Sequence, residues 1–487
     1  MSKKTQSYTN RKHRKYIPER MPGNVAVKNK GGWLPGANGR AAKVEALLRG
    51  RKEETKEIAG NMAGYKDSGV EEVNFIPKDW NTLRMKDAFN ISKEIIGDKW
   101  TEAALLSLTT NGVKSITADE QVGKRPKTFA TYQRVTKNDI VMCLFDLDAS
   151  AVFSGLSGYD GMISPAYKIL KTKEQVLPEF ANYYFQYIFE GRKYKKYAKS
   201  IRYTLSGEEF LRLLIVLPPL NEQQRIADFL DTKCSILDRT IDAVSRQIED
   251  LEKYKKALIT KTVTKGICKK GEPERAMKDS GVEWIGEVPE EWSVSKVKYN
   301  FSTFKKIPGK ESEKYERLSL TMNGVKHREK WTAEGLQPKD FMSYQLLRKG
   351  DLVFRLIDLQ NPSKSRRVAL SHDTGLISPA YTILHADNNK MLPEYAEMFF
   401  LMMSYLDVFN ALGSCGVRSS INNAELMKIS VLVPPLAEQQ QIADYLDEKC
   451  KNIDNRVQKR RQQLEWLKEY KKSLIFDYVT GKKRVEK

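Results

Sequence analysis

Pro218–Asp231 reads PPLNEQQRIADFLD, and far downstream Pro434–Asp447 reads PPLAEQQQIADYLD. After the first stretch the chain has no glycine or proline up to Lys265, which predicts one long helix with Asn221 as its N-cap. At 1.5 Å per residue such a helix is roughly 65–70 Å long. The second stretch predicts a second helix of matched length.

A heptad stripe runs along both predicted helices. Its apolar positions are spaced alternately by four and three residues, the pattern by which helices pack along a seam. The stripe contains Leu237, Ile241, Val244, Ile248 and Leu251 in the first helix and Ile453, Val457, Leu464 and Leu467 in the second. One such helix could pack on its own domain, but two matched copies favour packing against each other. We therefore expect an antiparallel coiled coil.

The rest of the chain is also duplicated. Lys66–Glu71 (KDSGVE) recurs as Lys278–Glu283, and Ile163–Tyr167 (ISPAY) recurs as Ile377–Tyr381. The separation between matching motifs grows slowly from the KDSGVE pair to the PPL pair, which indicates small loop insertions on a shared framework. We therefore expect two similar domains, each followed by one long helix and related by a pseudo-twofold internal repeat.

Each repeated domain mixes strand and helix patterns. Short β-branched runs predict strands at Asp139–Phe145, Ile163–Leu170 and Arg212–Leu217. An aromatic face predicts a helix over Glu179–Tyr197, and Glu394–Phe409 repeats it in the second domain. The predicted fold class is therefore α+β.

These patterns predict the following division of the chain. The segments are a basic, largely disordered N-terminal extension (1–64), a first globular domain (65–220), a first spacer helix (221–266), a linker (267–277), a second globular domain (278–436), a second spacer helix (437–481) and a tail (482–487).

The charge of the chain indicates a polyanionic partner. It has 487 residues, with 83 Lys and Arg against 62 Asp and Glu, a net charge of +21. Residues 1–65 contain 15 Lys and Arg and 5 Glu, so a large share of this charge lies outside the repeat. Two interpretations of that segment stay open. It is either a basic arm that adds non-specific DNA affinity or the product of an over-long gene start, since Met62 directly precedes the first repeated motif.

Several kinds of protein are excluded by what the sequence lacks. No apolar run approaches the roughly 20 residues that span a bilayer, so we expect no membrane partner. Five scattered cysteines without a CxxC indicate reduced thiols in the cytoplasm, and four histidines without ligand spacing predict no metal site. The chain has neither a GxxxxGK[ST] loop nor an Asn-Pro-Pro-Tyr motif. We therefore expect no catalytic residue and no cofactor in this chain.

The ordered motifs resemble those of one known family. They are YKDSGVEE (Tyr65–Glu72), DSGVEWIGEVPEEW (Asp279–Trp292), both ISPAY segments and the two PPL…IAD stretches. In this combination the chain resembles the specificity subunit of type I restriction–modification systems.

That resemblance implies a non-catalytic subunit with two target recognition domains. Each domain would read one half of a bipartite, asymmetric site on double-stranded DNA, and the long helices would fix the gap between the halves. Methylation (M) subunits using S-adenosylmethionine, typically on adenine, and restriction (R) subunits using ATP and Mg²⁺ would be the partners. Two other interpretations stay open: a stand-alone nuclease or methyltransferase, and a coiled-coil scaffold that binds only protein.

Candidate DNA contacts come first from positions that both copies share. Arg202 and Arg418 have the same separation as the two PPL stretches, and both have small or hydroxylated neighbours. Arginine can fork onto a phosphate, and an arginine kept while its neighbours change suits a shared task such as phosphate contact. The alternative is a structural salt bridge.

Further candidates come from positions where the copies differ. The loop Arg355–Thr374 of the second copy contains Lys364, Arg366 and Arg367, and its counterpart is a Gly/Ser/Asp loop. Arg192, Lys195 and Lys196 alternate with tyrosines, a mixture that can follow a DNA backbone. For both groups the alternative is an ordinary solvated surface.

Overall fold

The computed structural model describes residues 64–485 except positions 111, 118, 121–125, 151, 199–202, 268–270, 272–274, 330–339, 360–365 and 414–418. The chain divides into two compact units, residues 1–67 and 68–487. In the first unit, strand β1 (Tyr65–Asp67) is the described element. Apart from Gly64, the predicted N-terminal extension 1–64 lies outside the described residues.

The first half of the second unit combines short strands with helices. Its strands are β2 (Phe75–Pro77), β3 (Asn81–Arg84), β4 (Phe89–Ser92), β5 (Leu106–Thr109), β6 (Gly112–Ser115), β7 (Gln133–Val135), β8 (Ile140–Met142), β9 (Ser154–Leu156), β10 (Gly161–Ile163), β11 (Lys168–Thr172) and β12 (Leu214–Leu217). Its helices are α1 (Met85–Ala88), α2 (Pro178–Glu190), α3 (Gly207–Arg212) and the long α4 (Leu220–Lys265), with 3₁₀ turns at Gly97–Thr101 and Lys193–Tyr197.

The second half follows the same plan. Its strands are β13 (Met277–Asp279), β14 (Glu287–Pro289), β15 (Ser293–Lys296), β16 (Phe301–Ser302), β17 (Arg317–Thr321), β18 (Gly324–Arg328), β19 (Gln345–Leu347), β20 (Leu352–Phe354), β21 (Val368–Leu370), β22 (Gly375–Ile377), β23 (Thr382–Ala386) and β24 (Ser430–Val433). Its helices are α5 (Val297–Asn300), α6 (Pro393–Tyr405), α7 (Val408–Leu412), α8 (Asn423–Lys428) and the long α9 (Leu436–Val479), with a 3₁₀ turn at Gly309–Lys314.

Strand pairing is alike in the two halves. One four-stranded sheet has the order β4-β11-β8-β9, and the other has the order β16-β23-β20-β21, with all neighbours antiparallel. The pairs β3–β12 and β15–β24 also correspond. We call the globular parts within 68–219 and 276–435 the first head and the second head. Both mix helix and sheet, as the sequence predicted.

Each long helix begins on one head and ends on the other. Ile226 and Leu230, near the start of α4, lie in the core of the first head, whereas Ile259 and Val263, near its end, lie in the core of the second head. The second long helix runs the other way: α9 begins in the core of the second head, and its last turns pack into the first. The two heads therefore lie at opposite ends of α4, whose 46 residues extend about 69 Å.

Between the heads, α4 and α9 pack against each other. All nine residues of the predicted stripe meet in one apolar cluster, in which Val244, Ile248, Ile453, Val457 and Leu467 are buried and Leu237, Ile241, Leu251 and Leu464 are partly buried. Ion pairs flank this seam, and they join residues from the earlier part of one helix to residues from the later part of the other. The two helices therefore run in opposite directions.

Two of these ion pairs, which we call the outer ion pairs, occupy equivalent positions in the repeat. Lys471 Nζ lies 2.6 Å from Asp238, and Lys255 Nζ lies 2.6 Å from Asp454. Both lysines are mostly buried, at 25% and 19% exposure. A charged residue in a helix seam fixes the register of the two helices at some expense of stability.

Two sequence predictions about helix ends were wrong. The N-cap of α4 is Pro219 rather than Asn221, because Glu222 and Gln223 both donate their backbone N–H to the Pro219 carbonyl. The helix predicted over Glu179–Tyr197 ends at Glu190. It is interrupted by Gly191 and by Arg192, whose backbone is left-handed with φ 48°.

A third helix end and one strand also differ from prediction. The helix predicted over Glu394–Phe409 ends at Tyr405, ahead of the left-handed Asp407. The strand predicted over Ile163–Leu170 is two strands, because Tyr167 donates its N–H to the Ser164 carbonyl and closes a turn around Pro165.

One polar contact distinguishes the heads. In the first head, Lys171 Nζ lies 3.4 Å from Asp139. In the second head the equivalent pair is His385 and Asp351, with Nδ1 and Oδ1 2.5 Å apart, and Phe304 stacks on the imidazole ring. Each pair ties β11 or β23 to the turn before β8 or β20.

Candidate nucleic-acid interface

A loop leaves the central sheet at the same point in both heads. In the first head it follows β8 and turns at Asp146, which has φ 51°; in the second it follows β20 and turns at Asp358, which has φ 55°. Positive φ is uncommon outside glycine, although Asp tolerates it. Two loops that bend alike therefore present their following residues from equivalent positions.

The segments next to the candidate residues Arg202 and Arg418 contact these bends. Leu147 donates its N–H to the Tyr203 carbonyl in the first head, and Leu359 donates to the Ser419 carbonyl in the second. Tyr203 follows Arg202, and Ser419 follows Arg418. Arg202 and Arg418 themselves lie outside the described residues, as does Lys364. The described backbone thus brings the segments next to both arginines to equivalent positions.

Each bend is held by an arginine, but the two arginines come from different places. Arg192 Nη1 donates to the carbonyls of Leu147 (3.1 Å) and Ser150 (2.9 Å). In the second head Arg367, which is 7% exposed, donates to the carbonyls of Ile357, Asp358 and Leu359. Burial lowers the pKa of Arg367, the direction that desolvation imposes on a cation. Both candidates therefore support a loop from within.

Arg366, the neighbour of Arg367 in the sequence, points to a different partner. Its Nη1 is 3.4 Å from Glu397, and its side chain is 24% exposed. Burial raises the pKa of Glu397, although the nearby Arg366 charge acts in the opposite direction. A guanidinium with a buried carboxylate partner and a partly exposed edge can still contact a ligand.

The basic turn of the first head borders an open groove. Lys195 Nζ lies 3.8 Å from Asp148 and 4.1 Å from the centre of the Tyr203 ring, and Lys196 pairs with Glu71 and with Glu72 at 2.9 Å. The groove has a volume of about 700 Å³ and is lined by Glu71, Glu72, Arg192, Lys193, Lys195, Lys196, Ala198 and Tyr203. Both lysines are about 40% exposed.

The basic turn that borders this groove has no basic counterpart among the described residues of the second head. The 3₁₀ turn Lys193–Tyr197 corresponds to α7, Val408–Leu412, which reads VFNAL. Tyr194 and Phe409 are buried at the equivalent place, so the turn keeps its anchor while its charge differs. The two heads therefore offer different charges next to equivalent loops.

The family of the chain follows from comparison with known proteins. The model for the type I restriction modification DNA specificity domain matches residues 77–253 and 380–465. The chain belongs to this family. It is a type I specificity subunit, and family membership confirms the prediction of a DNA-recognition subunit that is not itself catalytic.

Two relatives come from Methanocaldococcus jannaschii. The type I restriction enzyme MjaVIII specificity subunit is 26% identical over 455 residues, which are 87% of this chain and 98% of that protein. The putative type I restriction enzyme MjaX specificity subunit is 25% identical over 449 residues, with the same shares. A solved structure from work on complex assembly and conformational transition of the type I R-M system has a TM-score of 0.58 at 13% identity, covering 83% of this chain and 98% of its own. It shows a shared fold.

The two ISPAY motifs of the specificity subunit have a structural role that their sequence does not indicate. Gln133 Nε2 donates to the carbonyls of Ser164 (3.3 Å) and Tyr167 (2.9 Å). In the second head, the equivalent Gln345 donates to Ser378 and Tyr381. These motifs are therefore turns held by a buried glutamine. Its recurrence at the separation of the KDSGVE motifs is the signal that could have revealed it.

The glutamines of the EQQ stretches join each head to its helix. Gln223 Oε1 accepts the Leu177 N–H, and its Nε2 donates to the carbonyls of Gln175 and Pro218. Gln439 makes the same three contacts in the second head. Both glutamines are fully buried, so every polar atom of their amides has a use.

Within the described residues, no three His, Cys, Asp or Glu side chains form a group that could hold a metal ion. None of the helices that the structure describes combines the length and the apolar character needed to span a bilayer.

Proposed function

We propose that this specificity subunit reads a bipartite, asymmetric site on double-stranded DNA, one half with each head. The observation that carries the proposal is the pair of equivalent loops, after β8 and after β20, in heads at opposite ends of α4. Different charges beside equivalent loops suit the reading of two different words. The proposed recognition domains are 65–220 and 278–436, joined by 267–277.

The proposed spacer is an antiparallel coiled coil formed by helices 221–266 and 437–481, related by a pseudo-twofold internal repeat. Leu237–Leu258, the stretch between the heads, spans about 32 Å. One turn of B-DNA is about 34–36 Å, so this stretch, to which each head adds its own width, is close to one turn of the duplex in length. A packed helix pair maintains that distance, whereas a flexible linker would not.

The proposed DNA contacts fall into two groups. Lys195, Lys196 and Arg366 are partly exposed and would approach phosphates, as would the loop residues Arg202, Arg418 and Lys364. Arg192 and Arg367 bind loop carbonyls, and we propose that they act by keeping the reading loops in shape. Loops that are rigid before binding lose less entropy on the DNA.

The proposed partners are methylation and restriction subunits of the same system, in the cytoplasm where the DNA is. Adenine methylation with S-adenosylmethionine and cleavage with ATP and Mg²⁺ would take place on those subunits. The specificity subunit would determine only where on the DNA these subunits act.

Methylome sequencing tests the proposal. The chain is expressed with its methylation subunits, and modified adenines are compared with those of a strain that lacks this chain. We expect one motif of two different words separated by a fixed gap, present only with the chain. Modification without a gapped motif, or turnover by the purified chain alone with DNA, Mg²⁺ and S-adenosylmethionine, would contradict it. A companion binding series should fall steeply with salt, unlike that of a scaffold protein.

A further inference from the structure

A buried glutamate lies where α4 leaves the first head. Glu222 is 2% exposed, and its carboxylate accepts Trp80 Nε1–H at 3.3 Å. Arg484, which follows the end of α9, donates Nε to Oε1 at 2.9 Å and Nη2 to Oε2 at 2.6 Å. The same guanidinium also reaches Asp79 at 2.6 Å. One carboxylate therefore joins the first head, the start of α4 and the segment that ends α9.

The second head has an equivalent cluster, and we call each of these two clusters a joint. Glu438, at the start of α9, accepts Trp292 Nε1–H at 2.8 Å. Arg275, which follows the end of α4, donates Nη2 to Glu438 at 2.9 Å and a second, shorter bond from Nη1. It also binds Glu291. Hydrogen bonds to Glu438 and Glu291 raise the pKa of Arg275, so the joint stays charged.

The arginines of the two joints are not copies of each other. The joint tryptophans have the separation of the KDSGVE motifs and the joint glutamates have that of the PPL stretches, as the repeat requires. Arg484 lies shortly after Thr480, but Arg275 lies well beyond the equivalent Thr264. The two guanidiniums thus reach equivalent carboxylates from positions that are not equivalent in the sequence. A bidentate arginine fixes angle as well as distance.

We propose that Arg275 and Arg484 are positioning residues that determine how strictly the subunit enforces the gap between its half-sites. The inference rests on the proposed spacer function. Without its arginine, a head is held by its own helix start and by the apolar contacts of the other helix end. With it, the start of one long helix and the segment that follows the other are fixed to one carboxylate, and the head cannot pivot. A head that pivots would tolerate gaps one base pair too long or too short.

The experiment uses the full chain with its methylation subunits. Arg484→Met and Arg275→Met remove each joint in turn and keep the apolar stem. Arg461→Met is the matched control, because it removes an exposed ion pair with Glu252 in the middle of the seam and touches neither head. Each complex methylates a plasmid library in which the native half-sites are separated by the native gap or by one or two base pairs more or fewer.

We expect the native chain and Arg461→Met to prefer the native gap at least tenfold over its neighbours. Each joint variant should reduce that preference severalfold and leave both half-site words unchanged. A joint variant that folds and keeps the native preference would overturn the inference, even if its melting temperature falls. If a methionine variant does not fold, Arg484→Lys and Arg275→Lys, which keep the charge without the fork, are judged by the same criterion. A native chain that shows no gap preference would defeat the proposed function instead.

Discussion

Lengthening both long helices by three heptads should move the accepted gap by about one turn of DNA. The insertions lie between Arg246 and Gln247 in α4 and between Gln462 and Gln463 in α9, which are equivalent positions in the middle of the seam. Because the helices run in opposite directions, the two insertions pair with each other. Both outer ion pairs and both head joints keep their partners.

The size of the effect follows from helix and DNA geometry. Three heptads add about 32 Å at 1.5 Å per residue, close to the 34–36 Å of one turn of B-DNA. The accepted gap should therefore grow by about nine to ten base pairs, with the second head on its original face of the duplex. One heptad adds about 10 Å, or about three base pairs, which turns the second half-site by roughly a third of a turn. Activity should then fall at every gap.

Methylation of a plasmid library that varies only the gap measures both variants. A three-heptad insertion in α4 alone is the control, and it should be inactive because the added helix has no partner. Circular dichroism reports the extra helix. A double insertion that folds with more helix and still prefers the original gap would refute the idea that the helix pair sets the distance.

Three further predictions concern individual contacts. Asp238→Lys or Lys471→Asp alone should lower the free energy of unfolding, and the double exchange should recover about 1 kcal/mol of the loss; purely additive losses in urea unfolding would exclude coupling across the seam. His385→Lys should keep the melting temperature within a few degrees, since Lys171 occupies the equivalent place in the first head, while His385→Ala should lower it further. Burial raises the pKa of Cys234 to about 11, so iodoacetamide should label this thiol far more slowly than a peptide thiol at pH 8. Its labelling rate should rise about tenfold for each pH unit up to pH 11. Equal rates for the two thiols at pH 8, measured by mass spectrometry, would show that Cys234 is accessible.

Periodicity in the sequence was enough for the long helices and for the nine residues of their seam. A heptad stripe such as Leu237–Leu251 is a local pattern, and its meaning does not depend on distant residues. The prediction of a helix through Arg192 was wrong, because Arg192 has a left-handed backbone. Its side chain binds carbonyls in a loop that is distant in the sequence, and these contacts stabilise that conformation. Local propensity contains no record of such a contact.

The loop supports and the joints were missed for a related reason. Comparing the copies identified Arg202 and Arg418, which align, but it could not connect Arg192 with Arg367 or Arg275 with Arg484, which do not. In each of those pairs, equivalent carbonyl groups or carboxylates of the two heads are bound from positions that do not correspond in the sequence. Alignment finds shared residues, whereas these pairs share only a place in space.

The crossing of the long helices has a consequence during synthesis on the ribosome. The core of the first head includes Leu474, Ile475 and Val479, which emerge only after the whole second head has been translated. Until then the first head has been translated but presents an unfilled apolar cleft next to Trp80. The nascent chain must wait in that state, exposed to aggregation, until α9 arrives. Slow translation through the second half would prolong this wait, and a chaperone that covers the cleft would reduce the risk.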